Sequence, residues 1–137
     1  MTGLYRKVAV ETSVYTASPH QLIKLLFDGY FEALAVARGA MRKKDVELKV
    51  KSFSRAIAIV DEGLKACLDL KAGGELASNL SNLYAYISLR LTQANLRNDE
   101  TILDECANLM VPVREAWNAI GDRADTAPVR GSLEIHA

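Results

Sequence analysis

Apolar residues recur at helical spacing in four blocks of this chain, each opened by a capping residue and closed by cations, glycine or a turn. In the first block Leu22, Leu26, Gly29 and Ala33 form one row, and Ile23, Phe27, Tyr30 and Leu34 form a second beside it. That arc is too wide for one neighbour, so the pattern predicts a helix packed on two sides. Its start is written in Ser18, Pro19 and Gln21: a hydroxyl for a free N–H of the first turn, a proline where no N–H is needed, and an amide able to complete a capping box. The helix is predicted over 19–41 and is closed by Arg42, Lys43 and Lys44, cations suited to its negative end.

Asp45 predicts the N-cap of a second helix reaching about residue 70. Its row is Val46, Val50, Phe53, Ile57, Val60, Leu64 and Cys67, and Gly73 and Gly74 stop it. Glu75 opens a third helix to Arg97 with the row Leu76, Leu80, Leu83, Ile87, Leu91 and Ala94. Asn98 suits a turn, and Asp99 caps a fourth helix with the row Ile102, Cys106, Leu109, Val113, Ala116 and Ile120, with Trp117 alongside. Pro112 falls within that row and is expected to bend the helix, because the period resumes in phase. The fold class is therefore all-α: an antiparallel up-down four-helix bundle over 16–121, with an N-terminal arm over 1–15 and a loose, flexible tail over 122–137. The arm carries Tyr5, Val8 and Val14, too apolar for an inert tail and too short for a stable helix. It is either a permanent strap or one that leaves when a partner arrives.

The chain has 137 residues, a single-domain length, with 17 cationic and 17 acidic residues interspersed. A balanced charge makes no field to gather nucleic acid or anionic lipid. No apolar run approaches the roughly 18 residues of a membrane span, so a cytoplasmic protein without membrane insertion is expected. Cys67 and Cys106 fall in helical apolar rows and are expected as buried reduced thiols. The two histidines, His20 and His136, lie near the ends of the sequence. His20 is expected on the surface of a first turn. No zinc or di-iron ligand set can be drawn, no Glu-x-x-His occurs, and Gly73-Gly74 lacks the rest of a phosphate loop. No catalytic residue, metal or cofactor is assigned, and an enzyme is not expected.

The informative residues are apolar ones on the wrong face. At about 100° per residue Leu48, Ile59 and Leu70 align nearly opposite the core row, with Ser52, Ala56, Gly63 and Ala66 between them. The third helix has an outward row of Ser78, Ala85, Leu89 and Leu96, with Tyr86 at its edge, and the first adds Phe31. The far side of the fourth is polar: Asp104, Glu105, Asn108, Glu115 and Asn118. The outward rows either face neighbouring helices or the arm, or form a groove across helices two and three for an amphipathic partner.

Several ordered motifs also resemble the FliS family of flagellar export chaperones: Thr-Ala-Ser-Pro-His-Gln-Leu-Ile-Lys-Leu-Leu-Phe-Asp-Gly at 16–29, Gly-Gly-Glu-Leu-Ala-Ser-Asn-Leu at 73–80, Leu-Tyr-Ala-Tyr at 83–86, Arg90-Leu91, Ala94-Asn95, Asn98-Asp99 and Ala116-Trp117. Thr16, Ser18, Pro19, Asp28, Gly29, Asn95 and Asp99 carry that likeness. Phe27 stands where such sequences often have Tyr, and Tyr30 where a smaller residue is common. The resemblance implies a cytosolic, non-enzymatic chaperone that binds the C-terminal segment of flagellin, prevents premature polymerisation and delivers it to the flagellar export apparatus. The alternative is a structural bundle that forms a weak homodimer through its outward rows.

Overall fold

A computed structural model describes residues 18–124, all but a few of them helical. The expected arm with Tyr5, Val8 and Val14, the motif residue Thr16 and the tail beyond 124 lie outside the described residues. Helix α1 spans Pro19–Lys43, α2 Val46–Ala58, α3 Leu70–Arg97 and α4 Glu100–Ala124. Each of α1 and α3 packs against both α2 and α4, which gives the expected four-helix bundle. Helix α4 runs on past Pro112, so the proline does not end it. Among the described residues no helix is long and apolar enough to cross a membrane.

The caps form as the sequence dictates. Gln21 N–H donates to Ser18 Oγ at 3.2 Å, and Ser18 N–H to Gln21 Oε1 at 3.1 Å, closing the capping box. Asp45 accepts from Leu48 N–H at 3.1 Å, and Asp99 from Thr101 N–H at 2.8 Å. Lys44 and Asn98 take the left-handed conformation that ends α1 and α3.

Helix α2 departs from expectation in two ways. First, its buried face is not centred on the predicted row. Lys49, Ser52, Phe53 and Ala56 are buried, whereas Val46 and Val50 are 63% and 45% exposed. The helix is rotated toward its small residues, because these let its backbone approach α1: a methyl at Gly63 would lie 3.0 Å from Leu26 Cδ2. Ala56 and Ile59, expected to face outward, are accordingly 0% and 1% exposed and belong to the core. Second, α2 continues through a π-helical turn, Ile59–Leu64, with Lys65 N–H donating to Val60 O, and then a 3-10 turn, Lys65–Cys67. Bonding from i to i+5 inserts about one residue and so rotates the rest of the helix by roughly 100°. Leu68 then packs on the core in place of Cys67, which is exposed; the expectation of a buried Cys67 fails for this reason.

The second helix therefore ends at Cys67, and Leu70 lies in the first turn of α3, capped by Asp69. Gly74 interrupts that helix with φ 55°, a conformation open to glycine without steric cost, and the long run begins at Glu75 as the sequence suggests. Along the remaining rows Ile87, Leu91, Ile102 and Cys106 are buried, but Leu76 and Ala116 are exposed. Tyr30 fills the centre with no exposed surface, and its hydroxyl donates to Cys106 O at 2.9 Å. His20 is buried too, against the surface position expected. Its ring stacks on Trp117 at 4.6 Å, Trp117 Nε1 donates to His20 O at 3.3 Å, and a methyl at Gly121 would overlap the imidazole. The long reach of Trp117 from α4 closes the start of α1, a contact invisible in the local pattern of a first turn.

Burying an unpaired carboxylate is among the costliest single changes. Ile59→Asp should destabilise the bundle by at least about 3 kcal/mol, and Leu89→Asp, on the outward side of α3, by less than about 1 kcal/mol. Urea unfolding monitored by circular dichroism measures both.

Candidate functional site

The most exposed of the large apolar side chains are Leu96 at 76%, Val46, Leu70, Leu89 and Val50. Leu89 and Leu96 are seven residues apart on α3, within about 20° of each other and roughly 10 Å apart along the helix. Ala85 and Thr92, both exposed, fill the strip between and beside them. Three hydrogen bonds fix how α2 lies along α3. Lys49 Nζ donates to Asn95 O at 3.0 Å and to Asn98 Oδ1 at 2.7 Å, and Ser88 Oγ donates to Asp61 Oδ1 at 2.6 Å. Val46 and Val50 project on that same side of α2, next to the last turn of α3. Exposed aliphatic side chains thus stand on the flank of α2 that meets α3 and on the outer face of α3.

Its composition differs from the expected groove. Leu89 and Leu96 are outward as anticipated, but Ile59 and Ala56 are core. Leu48, 39% exposed, lies within about 20° of Arg55, whose Nη1 reaches Glu32 Oε1 on α1 at 3.2 Å, so it belongs to the α1–α2 edge. Ala66 and Leu70 are exposed at the far end of α2 and the start of α3. Tyr86 leans the other way: its hydroxyl donates to Glu105 Oε2 on α4 at 2.5 Å. Phe31 is half-buried on the α1–α4 edge, edge-on to Tyr30 and covered by the Arg114 guanidinium at 4.1 Å from its ring centre. Spacing alone assigns Val46 and Val50 to the core; the signal that places them outside is the small-residue stripe of Ser52, Ala56 and Gly63, which marks the true contact face. Among the motif residues, Asp28 is exposed, Gly29 faces Arg55 and Ile59, and Asn95 lends its carbonyl to Lys49.

The polar side of α4 is less solvated than its pattern suggests. Asp104 and Glu100 pair with Arg38 at 2.5 and 2.9 Å, Glu100 also with Arg42 at 2.9 Å, and Glu105 with Arg90 at 2.8 Å. These pairs tie α4 to α1 on one flank and to α3 on the other. Hydrogen bonds from Arg42 and then Arg38 hold the Glu100 carboxyl below its usual range, and those from the Tyr86 hydroxyl and Arg90 do the same for Glu105. Asn108, Glu115 and Asn118 remain exposed. Within the core, burial pushes the Cys106 thiol up to about 12 and raises the Tyr30 hydroxyl as well, so neither is prepared for chemistry near neutral pH.

The family described as "Flagellar protein FliS" matches residues 1–124. The chain belongs to the FliS family. The flagellar secretion chaperone FliS of Salmonella typhimurium is 50% identical over 120 residues, covering 88% of this chain and 89% of that protein. Flagellar secretion chaperone FliSB of Pseudomonas aeruginosa is 44% identical over 116 residues, covering 85% and 91%. The FliS of Bacillus subtilis is 31% identical over 107 residues, 78% of each chain. Membership of the FliS family supports a chaperone of flagellar export and implies a non-enzymatic role.

Carboxylates held below their usual range in the folded state contribute stability above the unfolded-state value of about 4.3, and that contribution is lost as pH falls through the lower folded values. Unfolding midpoints in urea between pH 6 and pH 3 should therefore fall most steeply below about pH 4.3. A Glu100→Gln, Glu105→Gln double variant should show a shallower acid limb than the unaltered protein.

Proposed function

We propose that this protein is a cytoplasmic chaperone that binds the C-terminal segment of flagellin on the α2–α3 face, keeps it from polymerising early and delivers it to the flagellar export apparatus. The observation that carries the reading is the exposure of Leu89 and Leu96 in one strip of α3, with Val46 and Val50 exposed on the neighbouring α2. A helical bundle that leaves several large aliphatic side chains on one face has a surface suited to an apolar partner. Family membership supports the identity of the client.

An amphipathic segment lays one apolar face on such a strip and becomes helical as it does so. Ordering the segment offsets part of the contact energy, which keeps a large interface releasable at the export apparatus. Ala66 and Leu70 extend the surface along the α2–α3 corner, while Leu48, Tyr86 and Phe31 occupy other edges that a long client reaches only by wrapping around the bundle. Tyr5, Val8 and Val14 act as a strap that competes with flagellin for this face. Neither nucleic acid nor membrane insertion has a part in the mechanism.

Leu89→Asp and Leu96→Asp should each weaken flagellin binding by about 2 kcal/mol, close to thirtyfold in Kd, with unchanged helical content. Asn108→Asp on α4 should bind as the unaltered protein does. Calorimetry with purified flagellin measures the three variants, and equal affinities would remove the α2–α3 face from the function. A self-dimer that ignores flagellin in size-exclusion chromatography would instead favour self-association through the same face.

A further inference from the structure

Where the α1–α2 and α3–α4 turns meet, the bundle leaves a half-open cavity of about 430 Å³. Ala40, Met41 and Val46 supply apolar wall. Lys49 also lines it, and this side chain is unusual: only 8% of the residue is exposed, and its two hydrogen-bond acceptors, Asn95 O and Asn98 Oδ1, are both neutral. An ammonium group carries three protons, and the third has no acceptor among the described residues. A largely covered cation whose only partners are neutral is matched by an anion arriving in the cavity.

The acids in the lining do not fill that role. Asp45 accepts from Leu48 N–H as the N-cap of α2, and Glu100 is engaged by Arg38 and Arg42. Lys44, the left-handed C-cap of α1, also lines the cavity and enters no ion pair among the described residues. Apolar walls beside the Lys49 ammonium group, with a second lysine in the lining, match a ligand with an apolar body and one negative end.

We propose that this cavity binds a carboxylate joined to a small aliphatic group, a chemistry offered both by the free C-terminus of a peptide ending in an aliphatic residue and by a short monocarboxylic acid. The site shares Val46 with the α2–α3 face, but its test uses no flagellin, so it stands or falls independently of flagellin binding. Its test is a titration of the full chain, followed by amide resonances in a ¹⁵N–¹H correlation spectrum, with acetyl-Ala-Leu bearing a free carboxylate, the same dipeptide amidated, and 4-methylpentanoate. The free acids should shift the amides of Lys44, Lys49 and Asn98, and the amidated dipeptide should bind at least about tenfold more weakly. Tighter binding of the dipeptide acid assigns the site to a chain terminus, and equal or tighter binding of 4-methylpentanoate assigns it to a small monocarboxylate. Met41→Trp, which fills the cavity and leaves Lys49 in place, should abolish the shifts, as should Lys49→Met; if Lys49→Met does not fold, Met41→Trp decides. Equal binding of acid and amide, shifts away from the cavity, or no binding at all overturns the proposal.

Discussion

The close approach of α1 and α2 governs the rest of the molecule. Gly29 and Gly63 each leave room for a large side chain of the opposite helix, Ile59 in one case and Leu26 in the other. Ala33, Ala37 and Ala56 are buried without leaving bulk between the backbones. To use these small residues α2 must turn its Ser52–Ala56–Gly63 stripe inward, and the turn carries Ile59 into the core while lifting Val46 and Val50 out of it. The aliphatic surface beside α3 is thus a by-product of how α2 meets α1. A larger residue at Gly63 would meet Leu26 directly, so the contact that sets the rotation has little freedom to relax.

The remaining helices are then held by different means at different levels. Tyr30 crosses the core to the backbone of α4, and Trp117 reaches back from α4 to the carbonyl and ring of His20. On the flanks, the arginines of α1 and α3 engage the acids of α4. Exposed pairs of this kind add little stability individually, but they occupy both sides of α4 and leave only its outermost positions to solvent. The polar character of α4 keeps large exposed apolar side chains off its outer face.

Caps, turns and helix number are legible in the sequence because they depend on a few neighbouring residues: Ser18 with Gln21, Asp45 with Leu48, Asp99 with Thr101. The outward strip at Leu89 and Leu96 is legible too, since α3 keeps a regular period beyond Gly74. The rotation of α2 is not. A hydrophobic row weights large residues, so it favours Val46 and Val50 and treats Ser52, Ala56 and Gly63 as groove, although close backbone packing selects for small ones. The π-helical turn adds a second error of register, exchanging Cys67 for Leu68, and no residue type in Ile59–Leu64 announces it. His20 is misplaced for a third reason: its burial depends on Trp117 and Gly121, nearly a hundred residues away in the chain.

The central claim is that this rotated α2 and the outward strip of α3 together make the client-binding face. Amide hydrogen exchange of the full-length chain, with and without purified flagellin, tests it most directly because it reports each helix separately. The account predicts slower exchange on binding in the last turns of α3 around Leu89 and Leu96 and in the first turns of α2 around Val46 and Val50, with the outer segment of α4 around Asn108 unchanged. Protection centred on α4, with α2 and α3 unaffected, would contradict it.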